Sequence, residues 1–128
     1  MNEPHWLNRS VIIAIQGELL ARFGGLEGVR DEGLMDSALS RPHQSFHYGQ
    51  PDLFDLAATY AHGLVKNHPF LDGNKRIGFM AAYTFLAING QQLEAPEEEA
   101  VLQTLALAAG ETGAEEYAAW LRRSCTPR

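Results

Sequence analysis

The sequence predicts an all-α fold: one compact helical bundle of about six helices over residues 1–128, with a short loop or hairpin between two of them. Three observations predict it. Apolar residues recur at steps of three and four in six separate segments, which is the spacing of a helix with one buried face. Glycine, proline or a capping side chain punctuates those segments. No internal repeat, low-complexity tract or linker divides the chain.

Residues 11–23 place Ile12, Ile15, Leu19 and Phe23 on one stripe, with Ser10 as the expected cap and Gly24-Gly25 as the stop. After a loop through Gly28-Val29-Arg30-Asp31, a shorter helix is expected from Glu32 to Ser40, with Leu34, Met35, Ala38 and Leu39 inward. Arg41-Pro42 should end it, because a residue preceding proline avoids the helical region. Residues 41–52 hold two prolines, a glycine and several aromatic or histidine side chains, so an exposed loop or short hairpin is expected there. Asp52 can cap the next helix, which carries Leu53, Ala57, Tyr60 and Leu64 on one line and must stop before Pro69. Residues 76–89 are apolar nearly all round, as expected of a central helix packed on several sides. Pro96 and Glu97-Glu98-Glu99 open a fifth helix whose inward face is expected at Val101, Leu102, Leu105 and Ala109. The last helix, Ala114 to Arg122, should return Tyr117, Trp120 and Leu121 to the core.

Composition narrows the function. The formal charge of -6 argues against a general nucleic-acid grip, which needs a basic face, but leaves room for a small cationic pocket. Cys125 is the single cysteine, so no internal disulfide and no cysteine zinc site can form. The N-terminal residues lack the order of a signal peptide, and no apolar run there can span a bilayer. A cytoplasmic protein without a membrane partner is expected.

One stretch holds most of the chemistry: Asn67-His68-Pro69-Phe70-Leu71-Asp72-Gly73-Asn74-Lys75-Arg76. Lys75 and Arg76 fall in the first turn of a helix, whose N-terminus already carries about half a positive charge. Each is unfavourable there by roughly 0.3–1 kcal/mol unless an anion binds. A helix N-terminus preceded by a glycine is a phosphate site in waiting, and Gly73 and Asn74 supply the glycine and an amide. His68 can exchange a proton near neutral pH, and Asp72 is an oxygen ligand suited to Mg2+ beside phosphates. These are the parts of phosphoryl or nucleotidyl transfer. The plainer alternative is that His68 caps a helix, Asp-Gly-Asn makes a turn, and the cations pair with the sixteen acids.

His68 to Arg76 resembles the signature of the Fic/Doc (Fido) superfamily, specifically its Doc (death-on-curing) branch. Phe23-Gly24-Gly25, Gly28 to Asp31, Leu34 to Pro42 and Phe85 to Gly90 are similar to the flanking Doc pattern, so the likeness covers roughly residues 15–95. It implies a compact Fic-like bundle and an ATP- and Mg2+-dependent transferase. By position, His68 is the implied base and Asp72 the implied metal ligand. Gly73, Asn74, Lys75 and Arg76 are the implied phosphate cradle. Phe46, His47 and Tyr48 match the flap that positions the target segment. Most Fic enzymes carry glycine where this chain has Lys75, and transfer AMP to a protein hydroxyl. The Doc branch carries lysine there and transfers the γ-phosphate. The implied target is a threonine of elongation factor Tu, with arrest of translation; the implied partner is a small antitoxin whose tail occupies a groove on this domain. Two departures stand out. Gly73 is alanine in the founding phage member, which keeps AMP transfer, or a non-catalytic binding role, as the alternative. Gln16 stands where many Doc-like chains have histidine. Thr112 to Tyr117 does not match the inhibitory helix of self-inhibited members, so inhibition is expected in trans.

Overall fold

A computed structural model describes residues 2–128. Six helices follow in order: α1 (Arg9–Phe23), α2 (Glu32–Tyr48), α3 (Leu53–Asn67), α4 (Asn74–Ile88), α5 (Glu97–Ala109) and α6 (Ala114–Ser124). A two-stranded antiparallel sheet joins β1 (Gln91–Leu93) to β2 (Cys125–Pro127), with Gln92 opposite Thr126. The all-α expectation holds, and the small sheet is an addition that ties the C-terminal residues to the end of α4.

α3 is the centre of the bundle. Eight of its residues, from Leu56 to Val65, are buried, and α2, α4, α5 and α6 all pack on it. Asp52 caps α3 as expected, accepting from Asp55 N–H at 2.8 Å while Asp55 returns the bond to Asp52 N–H. Burial works against the Asp52 charge, yet the Asp55 N–H and Arg122 together hold its carboxyl below the ordinary range. Close approach sets two crossings. A Cβ on Gly63 would lie 3.2 Å from Ala38 of α2, and one on Gly78 of α4 would lie 2.7 Å from Val65 Cγ2. Both glycines sit inside helices, where only packing justifies them.

Four sequence expectations are corrected. α1 begins at Arg9, with Asn8 and not Ser10 as its cap, because the Asn8 side chain accepts from Val11 N–H. Phe23 does not face the core; the residue is 57% exposed. α2 does not stop at Pro42 but runs three further residues past its next turn to Tyr48, so residues 41–48 are helix rather than loop. Proline removes one helical hydrogen bond, but Trp6 offsets that loss by stacking on His43 at 4.0 Å and meeting Phe46 edge-on. The expectation that α4 is packed on several sides holds: α1, α3, α5 and β1 all lie against it, and within it Lys75, Arg76 and Ile88 alone are exposed. The inward face of α5 is Ala100, Thr104 and Leu107, whereas Val101, Leu102, Leu105 and Ala109 face solvent. Polar pairing chose that face. The Thr104 hydroxyl lies 2.8 Å from Tyr117 Oη, and Trp120 Nε1 donates to Glu99 at 2.6 Å.

Among the described residues no helix is long and apolar enough to cross a membrane.

Candidate functional site

The site is built where the α3–α4 connection meets the α1–α2 connection. α3 ends at His68, which takes the left-handed conformation (φ 51°, ψ 53°), the one positive φ outside glycine among the described residues. Such a backbone costs a non-glycine residue about 1–2 kcal/mol and persists only when neighbours impose it. The neighbours are residues 24–31, which run alongside as a strap. Arg30 and Asp31 N–H groups donate to Pro69 C=O at 2.6 and 3.1 Å, Leu71 N–H donates to Gly28 C=O at 3.1 Å, and Val29 bridges Phe70. Arg30 also donates through Nε to His68 C=O at 2.7 Å and through Nη2 to Asn67 C=O at 3.0 Å. Gln16, buried in α1, donates to Gly28 C=O at 3.3 Å and ties the strap to the helix before it.

Asn74 is the internal brace. Its buried side chain accepts from Phe70 N–H at 3.0 Å and donates to Phe70 C=O at 3.0 Å, which fixes which end of the amide is nitrogen. The remaining hydrogen of Nδ2 faces His68 Nδ1 at 3.3 Å. In the neutral ring that contact favours the proton on Nε2. The Asn74 amide is thus committed to its own loop, and what α4 can offer a ligand is backbone N–H. Gly73, left-handed at φ 78°, precedes α4 and provides no side-chain cap, so the N–H groups of the first turn are without a capping side chain.

The two cations do not pair with the acids, as the plainer alternative required. Among the described residues the ion pairs are those of Arg9 with Glu32 and of Arg122 with Asp52 and Asp55; Lys75 and Arg76 are in none. Lys75 is exposed. Arg76 lies over the exposed Phe23 ring, 4.2 Å from its centroid. Two exposed cations at an uncapped helix N-terminus are suited to a phosphate.

Asp72 sits at the mouth of a narrow cleft between α1 and α4 that is lined by Gln16, Leu20, Gly24, Gly73, Arg76 and Ile77. One carboxylate oxygen accepts from Gly73 N–H at 2.9 Å and the other from Leu26 N–H at 3.4 Å, a long and weak bond. Among the described residues no group of three or more His, Cys, Asp or Glu is gathered for a metal. A single carboxylate suits Mg2+, which keeps several waters and shares phosphate oxygens, better than it suits zinc.

The structure therefore brings His68, Asp72, Gly73, Asn74, Lys75 and Arg76 into one connection. Phe46, His47 and Tyr48 are elsewhere, on the last turn of α2, with Phe46 against Trp6 and Tyr48 90% exposed. Sequence reasoning put Phe23 in the core and left Gln16 and Arg30 without a role. No local pattern marks Arg30 for such a role, because its side-chain partners are backbone carbonyls.

Comparison with known proteins gives the family. The model of the Fic/DOC family matches residues 6–86. The Toxin Doc of Mycolicibacterium smegmatis is 51% identical over 76 residues, covering 57% of this chain and 58% of that protein, so the matched part of this chain spans little more than half of that relative. The Protein kinase doc of Escherichia phage P1 is 35% identical over 113 residues, covering 88% of this chain and 89% of that protein.

Proposed function

The chain belongs to the Fic/DOC family, in its Doc branch, and from that premise we propose that it is the toxin of a toxin–antitoxin module, acting as an ATP-dependent protein kinase. The proposed reaction transfers the γ-phosphate of ATP to a threonine of elongation factor Tu in the cytoplasm and arrests translation, with the described residues acting as one catalytic domain. The observation that carries it is the pair Lys75 and Arg76, unpaired with any described carboxylate at the uncapped start of α4 and a few residues from His68. The names of the two relatives, a toxin and a protein kinase, support it.

In this reading Lys75, Arg76 and the N–H groups that open α4 hold the phosphates, and Asp72 holds Mg2+. When bound, the nucleotide supplies the phosphoryl group and the metal offsets its charge. His68 takes the hydroxyl proton at Nε2. That requires the ring proton to reside on Nδ1, so the weak 3.3 Å contact with Asn74 has to give way first. Asn74 then serves chiefly to hold Phe70, and through it the loop. Tyr48, projecting from the end of α2, is available to a protein substrate. An antitoxin tail is the expected inhibitor.

The alternative, AMP transfer, rests on Gly73. Its left-handed φ of 78° gives that glycine a conformational reason to be present, which weakens it as a sign of AMP transfer. The deciding experiment supplies elongation factor Tu with ATP labelled at either the α- or the γ-phosphate. Label from γ is expected. Label from α means AMP transfer, and label from neither means a binding protein. His68→Ala is expected to abolish transfer, and residual transfer at the wild-type rate would remove His68 as the base.

A further inference from the structure

The most heavily constrained group near the site is His68, and the contact that constrains it comes from outside the α3–α4 connection. We infer that Arg30 is a positioning residue for catalysis, holding His68 in its left-handed conformation and thereby aiming the imidazole; the inference rests on His68 being the base.

The geometry is specific. The Arg30 fork spans two successive carbonyls, Nε to His68 at 2.7 Å and Nη2 to Asn67 at 3.0 Å. Those are among the last carbonyls of α3, where helical partners have run out and the helix dipole favours a cation. The backbone N–H of the same residue donates to Pro69 at 2.6 Å, so the carbonyls of residues 67, 68 and 69 all accept from Arg30, the last of them from Asp31 N–H as well. Arg30 pairs with no carboxylate in the described ion pairs, which leaves its charge committed to these carbonyls. Three carbonyls fixed in a row determine the backbone torsions of the residue between them. Without the fork, nothing else among the described contacts holds the His68 carbonyl, and the residue can relax toward negative φ, which carries its side chain away from Asp72 and α4.

Arg30 makes no described hydrogen bond to Gly73, Asn74, Lys75 or Arg76; its bonds in this connection go to Asn67, His68 and Pro69. Losing it should therefore slow turnover without weakening nucleotide binding. Lysine is a poor replacement, since one ammonium cannot span two carbonyls as a planar fork does.

The test measures transfer to elongation factor Tu by wild type, Arg30→Met, Arg30→Lys and His68→Ala, each well below its melting temperature. The expected result is a kcat lower by about 10–100-fold in Arg30→Met, the scale of a small misplacement of a reacting group. KM for ATP should change less than about twofold, by the same separation of turnover from binding. Millimolar methylguanidinium should restore part of the rate in Arg30→Met and none in His68→Ala. Three-bond NMR couplings at His68 should report positive φ in wild type and its loss in Arg30→Met. If Arg30→Met turns over like wild type while His68→Ala is dead, Arg30 has no positioning role and the base assignment stands. If kcat and KM change together, the melt falls, and methylguanidinium restores nothing, Arg30 is merely structural and the inference fails. If His68→Ala retains transfer, or wild type shows none, the base assignment fails and takes this inference with it.

Discussion

Replacing Asn74 with alanine tests the brace of the site directly. Two backbone groups of Phe70 lose their partners, the N–H now bound at 3.0 Å and the C=O now bound at 3.0 Å, both buried. A buried backbone group left unpaired costs about 1–3 kcal/mol. Two give a ceiling of about 6 kcal/mol, but Leu71 and Asp72 beside them are exposed and let water reach part of the gap. The loss should therefore settle at about 2–4 kcal/mol. Alanine at the first position of α4 adds no helical penalty, since Gly73 and not Asn74 is the cap residue. For a chain of this size about 1 kcal/mol moves the melting temperature by roughly 4 °C, so a fall of about 8–15 °C is expected. Asn74→Asp keeps the acceptor for Phe70 N–H and loses the donor, and should fall between the two. The assay is a thermal melt with urea unfolding as a check. A loss below about 1 kcal/mol would show that Phe70 finds other partners, and the brace would not be one.

Gly78→Ala should lose about 1 kcal/mol net, because overpacking against Val65 costs about 1–3 kcal/mol while alanine gains up to about 1 kcal/mol as a helix former. Its cost should shrink in a Val65→Ala background; a cost that stays the same would place the strain elsewhere. Gly25→Ala meets two obstacles, a φ of 119° and a new Cβ 2.9 Å from Asp72 Oδ2. It should raise the Mg2+ concentration needed for half-maximal transfer and lower the melt by a few degrees, whereas an unchanged Mg2+ requirement would separate the Gly24–Leu26 turn from Asp72. Alkaline pH should unfold the protein early. Burial pushes Tyr60 and Tyr117 up to about 12, above the ordinary tyrosine value of 10.0. The unfolded chain releases those protons first, so stability is intact below about pH 10 and falls from there to about pH 12. Urea melts across that window should steepen with pH, and Tyr117→Phe should flatten the slope; a slope unaffected by the substitution would mean Tyr117 titrates normally.

The parts of the site local in sequence were legible, and the parts made by distant contact were not. The helix after Gly73, its two cations and the cap at Asp52 follow from short-range rules, and the structure keeps them. Pro42 misled because a local rule met a tertiary counterweight. Met35, Ala38, Pro42 and Phe46 continue the same three-and-four spacing, a helical stripe visible in sequence once proline is tolerated. On α5 two faces competed. Hydrophobicity favoured Val101, Leu102 and Leu105, but Thr104 and Glu99 had partners on α6 that only the folded chain supplies. Arg30 was unreadable for the same reason, since its partners are backbone carbonyls that carry no residue identity.

The strap has a consequence for when the site exists at all. Arg30 and His68 are 38 residues apart, and the whole of α2 and α3 lies between them. Closing that span has to follow the packing of both helices, because loop entropy opposes it until they are in place. A chain emerging during synthesis thus acquires its helices before it acquires an aimed histidine. In the finished protein the order reverses. The strap holds the α3–α4 connection through a few backbone bonds and the Arg30 fork, so it can open while the bundle stays folded. Amide exchange at Arg30, Asp31 and Leu71 should then occur together and well ahead of α3. Each such opening is a molecule whose bundle stays folded while His68 is briefly free of its imposed conformation.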